Sequence, residues 1–377
     1  MNVTIRGRVR HHRTVTFDGA RNAVQLIEQR LLPHEFRIVA TRDFRETAAA
    51  IHDMIVRGAP AIAATAAYGL AQGARAFRER GLRAFTRHLE SVYETLQAVR
   101  PTAIDPVNAM DQVRARMQAG ETVAERQALA LAAAEDFAQR SVEECRRIGK
   151  HSARLIRDGA RVLTHCNAGW LACVDIGTAT APMYQAQAQG RRFHVFCDET
   201  RPRCQGASLT AWELAQQGIS HEVIADNAAG HLMQRGEIDL VIVGADRVLG
   251  RTGEVANKIG TYTKAVLAHR HGIPFFVAVP LSTLDWRLKS GVDIPIEERD
   301  QREVLGAWGL AQTPSSGIRT PKGAERVYVR VANPGSGARN PAFDVTPGEL
   351  VRGIITPRGI LDPAELWPRR REMVPRV

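Results

Sequence analysis

Asp246 closes an apolar run, IDLVIVGAD, and a Gly-rich stretch after it delivers Asn257 and Lys258 in GEVANKIGTY. A carboxylate at the mouth of an apolar strand loses solvation, which suits it to hand over a proton as a general acid. Asn257 and Lys258, placed at the start of the next helix, would offer an amide donor and an ammonium to a phosphate. Lys258 is one of five lysines among 51 basic residues. A compact ammonium does not substitute for a guanidinium where one donor must reach one oxygen, but the residue reads equally as a solvated lysine. RGAPAI, residues 57–62, is a second anion-binding device: Arg57 precedes a Gly58-Ala59-Pro60 turn into a helix whose first amides are free. THCNAG, residues 164–169, ends an apolar run on Cys166. A helix opening directly after it would favour a thiolate, and a buried structural cysteine fits equally well. Asp198 with Arg201 reads as an ion pair, and Asp226-Asn227 as a helix N-cap. The spacings Cys166 to Cys173 and Cys197 to Cys204 do not match zinc-ligand pairs, so no metal is expected.

These groups need a scaffold that gathers them at one edge. Residues 1 to 40 hold short alternating segments such as TVTFDG, which predict a small β element. Helical spacing begins at TRDFRETAAAIHDMIV, where Thr41 looks like the cap, and continues through AIAATAAYGLAQGARAF and the stretches 83–99, 105–118 and 122–156. From residue 160 strand-like runs alternate with helix-like ones: RVLTHC, FHVFC, HEVIAD, IDLVIVGAD and IPFFVAV, with ACVDIGTATAPMYQAQAQ as the first helix. The fold class is α/β: a helical N-terminal domain with a short β lead over 1–155, and a Rossmann-like parallel-sheet catalytic domain over 156–377. In such sheets ligands bind beyond the carboxyl ends of the strands, where Cys166, Asp198, Asp226 and Asp246 fall. Neither G-x-G-x-x-G after the first strand nor a P-loop is present. Past residue 300, TPSSGIRTPKG and NPGSGARNP read as loops around one strand, ERVYVRV.

Of the 377 residues, 44% are apolar and 24% charged, the balance of a globular chain rather than a disordered one. No apolar run approaches the ~20 residues needed to span a bilayer, and no signal-peptide core follows the basic start. A cytoplasmic protein without a membrane partner is expected. Five cysteines with no C-x-x-C pair predict reduced thiols. The net charge of +11 permits an acidic partner, but the basic residues are scattered and not interleaved with aromatics, which argues against nucleic acid.

Val56-RGAPAI, RPT at 100–102, THCNAG, ETRPRCQGASLTAWEL at 199–214, GADRV with GEVANKIGTY, and NPAFDVTPGEL at 340–350 occur in this order along nearly the whole chain. Together they resemble the methylthioribose-1-phosphate isomerase family, which shares a superfamily with ribose-1,5-bisphosphate isomerases and the regulatory subunits of the eukaryotic initiation-factor exchange factor. The resemblance implies that Arg57, Gly58, Ala59, Arg100, Gln205, Asn257 and Lys258 bind a sugar phosphate, that Asp246 is the proton donor and that Cys166 is its partner. It further implies a homodimer and no metal or redox cofactor. Three departures bear on the substrate: Ala63 ends RGAPAIA where Gly is usual, Trp170 follows Gly169 near the expected pocket, and the stretch before NPAFDVTP is long. Methylthioribose 1-phosphate is the first expectation and 5-deoxyribose 1-phosphate the second. Ribose 1,5-bisphosphate ranks lower because no cations for a 5-phosphate stand out. A non-catalytic interaction protein like the exchange-factor subunits is the competing class.

Overall fold

The computed structural model describes residues 1–5, 7–99, 104–311 and 326–374. The β lead is a hairpin, β1 (Asn2–Ile5) with β2 (Arg8–His11), and an antiparallel meander of β3 (Val15–Asp18), β4 (Ala23–Ile27) and β5 (Ile38–Thr41). Helices α1 (Phe44–His52), α2 (Ala59–Ala76), α3 (Leu82–Ala98), α4 (Ile104–Met117) and α5 (Val123–Ser152) follow. The cap of α1 is Asp43, whose carboxylate accepts from the Arg45 and Glu46 amides, and not Thr41, whose hydroxyl turns inward to Thr47. α5 opens on a capping box between Thr122 and Glu125.

α2 is buried from Ala61 to Ala74 on every side, as a helix apolar all round must be. Its small residues let neighbours approach: a Cβ on Gly73 would meet Val92 Cγ1 at 2.5 Å. α5 ties the two halves of the chain together. Phe137 and Val142 sit in the core around α2, while Ile148 packs under the main sheet.

That sheet has seven strands in the order β18-β17-β12-β9-β6-β7-β8, where β6 is Arg161–Thr164, β7 His194–Asp198, β8 His221–Ile224, β9 Leu240–Val243, β12 Phe275–Ala278, β17 Gly353–Thr356 and β18 Gly359–Leu361. All neighbours are parallel except β17 and β18. The five apolar runs read from sequence are its five central and edge strands on one side. Successive residues face opposite layers: Leu163, Val241 and Val243 join the core beneath α8 (Ala228–Gln234) and α9 (Thr261–Arg270), whereas Val162, Leu240 and Ile242 join the other with α6 (Ala181–Ala188) and α7 (Ala211–Gln216). After β6 the chain moves outward through β7 and β8, then returns to β9 on the other side. β6 and β9 therefore flank the topological switch point.

A second sheet, β13-β10-β11-β16, stands over that point: β10 (Arg247–Leu249), β11 (Val255–Lys258), β13 (Leu284–Asp285) and β16 (Phe343–Thr346). Beyond it lie α10 (Arg302–Leu305), the hairpin of β14 (Gly306–Leu310) with β15 (Arg326–Arg330), and α11 (Arg370–Met373). The tail is thus more than loops around one strand, since β16 joins the second sheet beside β11 and β17 joins the main sheet beside β12; the expected loop TPSSGIRTPKG lies outside the described residues. Among the described residues no helix is long and apolar enough to cross a membrane.

Candidate active site

A cleft of about 830 Å³, counting its open mouth, lies at the carboxyl ends of β6 and β9. Arg57, Gly58, Ala59, Cys166, Gln205, Asp246 and Lys258 all line it, so seven of the nine residues singled out from sequence converge. Arg100 lies outside the described residues. Asn257 turns away: it sits between Ala256 and Lys258 on a strand, where side chains alternate, and its amide donates to Thr261 Oγ1 at 2.9 Å.

The local structure around three of these residues differs from the expectation. No α-helix opens after Cys166; residues 167–180 form a loop with a single 3-10 turn at Trp170–Ala172, and α6 starts at Ala181, so no α-helix start directly follows the thiol. Cys166 instead has a left-handed backbone, φ 66°, uncommon for a side chain with a Cβ. Its amide donates to Thr200 Oγ1 at 2.8 Å and its carbonyl accepts from Thr210 Oγ1 at 2.7 Å. Thr200 and Cys204 share the left-handed region, and such strain gathers at functional sites. The Cys166 thiol donates to Gln205 Oε1 at 3.3 Å. Asn257 and Lys258 lie on β11, not at a helix start; what looked like a Gly-rich loop is a β-hairpin between β10 and β11. Asp246, at its foot, donates its amide to the Ala256 carbonyl at 3.0 Å and is half-buried.

The side of the cleft around Arg57 and Gly58 is built from both halves of the chain. Gly58 caps α2 at φ 90°, and a Cβ there would lie 2.5 Å from Ala172 Cα. Only glycine lets the helix start pack on the loop after Cys166. The Arg57 guanidinium donates to the side-chain oxygen and the carbonyl of Asn167. Asn167 in turn donates to Glu213 Oε1 at 2.9 Å, and that buried carboxylate also accepts from the Trp170 and Leu171 amides and the Tyr184 hydroxyl. Burial pushes the Glu213 carboxyl up, while these donors hold it down. Trp170 is fully buried between Val3, Ile27 and Leu209, so it shapes the core rather than the pocket.

Lys258 is buried and reaches the Ala342 carbonyl at 3.0 Å, with its ammonium 4.7 Å from the Phe343 ring centroid. Burial and the nearby Arg299 guanidinium lower it to about 8, with Cys166 and Asp246 opposing. Arg299 also lines the cleft, and its buried Nε has no partner. Asp105, at the start of α4, also lines the cleft; burial raises it to about 6, Ser282 opposes, and the Asp246 charge adds to the rise. Sequence reasoning missed Arg299 and Asp105 because neither sits in a phosphate-binding or strand-end motif.

Asp198 does not pair with Arg201. It accepts from His165 Nδ1 at 2.7 Å and from Lys264 Nζ at 3.2 Å, while Arg201 donates to the carbonyls of Glu303, Val304 and Gly306. Asp226 accepts the Thr200 and Arg201 amides and caps no helix through its side chain. His165, Asp198 and Asp226 are close enough to hold a metal ion, but the Lys264 ammonium already supplies the positive charge there, and both His165 nitrogens face acceptors.

A second cavity, about 1260 Å³, shares Met54, Arg57 and Gln205 with the first and is lined by Arg30, Arg203 and Arg326. Arg30 pairs with Glu28 and Arg203 with Glu303; Arg326 lies 5.2 Å from the Trp308 ring centroid. Cations beside the cleft are therefore present, contrary to the expectation from sequence.

Residues 55–363 match the Initiation factor 2 subunit family. A methylthioribose-1-phosphate isomerase of Methylorubrum populi is 49% identical over 96% of this chain and 98% of its own. A solved structure of 5-methylthioribose 1-phosphate isomerase from Pyrococcus horikoshii superposes with a TM-score of 0.82 at 40% identity, covering 97% of this chain and 96% of that one. Translation initiation factor eIF-2B subunit delta from A. fulgidus gives 0.78 at 38% identity, covering 96% and 98%.

Proposed function

The chain belongs to the Initiation factor 2 subunit family, and within it we propose an aldose–ketose isomerase that converts 5-methylthioribose 1-phosphate to 5-methylthioribulose 1-phosphate. The observation that carries this reading is the meeting of Cys166 and Asp246, from the ends of adjacent strands β6 and β9, with Arg57, Lys258 and the start of α2 in one cleft. A sugar phosphorylated on its anomeric oxygen cannot open as a free hemiacetal does. An acid must protonate the ring oxygen while the phosphate stays on C1, and Asp246 takes that role. Hydrogen then moves from C2 to C1, as a hydride or through an enol formed with Cys166 as base. Arg57, Lys258 and Arg299, with the free amides of α2, anchor the phosphate and fix the reacting end. Arg100 and Gln205 complete the set of substrate-binding residues carried over from the resemblance, while Asn257, its amide on Thr261 Oγ1, holds the turn from β11 into α9.

The unit over 1–155 supplies the α2 side of the cleft and the unit over 156–377 the acid and the thiol. A cytoplasmic homodimer joined through the sheet domains is the matching assembly. A second substrate, ribose 1,5-bisphosphate, is favoured by one observation: the adjoining cavity with Arg203 and Arg326 offers charge for a 5-phosphate. Phosphorus and proton NMR of the purified protein with methylthioribose 1-phosphate, 5-deoxyribose 1-phosphate and ribose 1,5-bisphosphate tests the reading. Ketose 1-phosphate from the first is expected. Conversion of ribose 1,5-bisphosphate alone would reassign the substrate, and no conversion of any would leave the exchange-factor-like interaction role.

A further inference from the structure

The isomerisation moves two protons as well as one hydrogen between carbons. As the C1–O4 bond breaks, its electrons stay on O4, which takes a proton from Asp246. The C2–H pair passes to C1. The electrons of the O2–H bond become the second bond of the C2 carbonyl, so the O2 proton must leave, and the cleft must hold a group to accept it. Cys166 donates its thiol hydrogen to Gln205 on the hydride path and is taken up by the C2 hydrogen on the enol path, and Lys258, Arg57 and Arg299 are cations engaged with phosphate.

Asp105 answers this need. It lines the same cleft as Cys166 and Asp246, it is 3% exposed, and its Oδ1 is buried without a hydrogen-bond partner among the described residues. A buried carboxylate oxygen left unpaired is costly; the Ser282 hydroxyl steadies the carboxylate but does not satisfy Oδ1. We propose that Asp105 is the base that takes the O2 proton as the C2 carbonyl forms, and returns it to Asp246 for the next turnover. No proton is gained or lost over the cycle, so no co-reactant is needed. The inference rests on the isomerase reading. Burial, aided by the Asp246 charge, brings Asp105 up to about 6, so the carboxyl takes and gives a proton near neutral pH, the range that suits a recycling base.

The test is single-turnover and steady-state conversion of methylthioribose 1-phosphate by the full chain and its variants. Asp105→Asn keeps the shape but accepts no proton. Its turnover should fall about 100-fold, within the range general bases contribute, with KM within about threefold. In Asp105→Ala, added formate should restore turnover at least tenfold by entering the vacated space, a response that a merely structural aspartate would not show. Wild-type activity together with Asp105→Asn turnover within about threefold of it overturns the proposal and leaves the isomerase standing. If Asp105→Asn does not fold, the formate response decides: no rescue of a folded Asp105→Ala overturns it. Wild type that converts no sugar phosphate overturns the isomerase reading, and this inference with it.

Discussion

Lys258→Met should stabilise the protein while removing its grip on phosphate. The ammonium is buried with one carbonyl partner, Ala342, and a cationic neighbour, Arg299, and it falls from 10.5 to about 8. That drop corresponds to about 3 kcal/mol of folding free energy lost at neutral pH. The sign follows from proton counts. Between pH 8 and 10.5 the unfolded lysine keeps a proton that the folded one has released, so stability rises with pH through this window, and below 8 the full penalty applies. Methionine keeps the length and the apolar stem, has no charge to desolvate, and gives up the hydrogen bond to the Ala342 carbonyl, which still accepts the Ile259 amide at 3.1 Å, at a cost of about 1 kcal/mol. A net gain of about 2 kcal/mol is expected at pH 7, shrinking to nothing or reversing by pH 10. Urea denaturation of both proteins at the two pH values measures it, with and without inorganic phosphate. Phosphate should shift the wild-type midpoint upward by linkage and leave the variant unmoved. A variant less stable than wild type at pH 7 would refute the uncompensated burial of the charge, and an equal phosphate shift in both would refute Lys258 as an anchor.

Asp246→Asn and Cys166→Ser should each lower turnover at least 100-fold with the substrate dissociation constant, read by calorimetry, changed by less than about threefold, because each group acts on the transition state; weakened binding with normal turnover would remove either from its role. Gly58→Ala should destabilise by about 3 kcal/mol or more and impair phosphate binding, since its φ of 90° is strained for alanine and the new Cβ would lie 2.5 Å from the Ala172 backbone; a melting temperature within 2 °C, roughly the effect of 1 kcal/mol, would show that the α2 start yields. Sedimentation velocity at micromolar concentration should give a homodimer, and a strict monomer would remove that part of the proposal.

The parallel sheet was legible because each of its five runs is short and bounded by polar residues, and the central ones are apolar on both faces, as at Leu240–Val243. β17 and β18 were not, since GIIT and GIL carry too few residues to announce themselves and pair with strands far back in the chain. The place of β11 in a sheet was hidden for the same reason: the partner of Lys258 is Phe343 on β16, a pairing that no local pattern encodes. The loop after Cys166 reads as helix in its alanines, but the Trp170 and Leu171 amides are drawn to the buried Glu213, and a tertiary acceptor outweighs local propensity. In the cleft, strand-end and helix-start residues were visible because their chemistry is tied to their position in an element. Asp105 and Arg299 were not, because they are remote in sequence from those motifs and join them only in the folded chain.

The fold alone does not separate an isomerase from an exchange-factor subunit, because solved structures bearing both names superpose on this chain. The cleft does separate them. Asp105 keeps a buried oxygen unpaired, Arg299 keeps a buried Nε unpaired, and Lys258 remains an ammonium where burial opposes it. Each lowers stability, and a surface used for assembly would lose nothing by replacing them with apolar residues of similar volume, a change that tends to be neutral or stabilising for buried charge. The three line one space together with Asp246 and Cys166. Arg299 pairs with Glu297 through Nη2, but its Nε and the Asp105 oxygen remain buried polar atoms that a substrate with a phosphate at one end and reacting hydroxyls at the other would satisfy. Stability that no internal contact recovers is thus recovered on binding, which is the signature expected of a site that acts on its ligand.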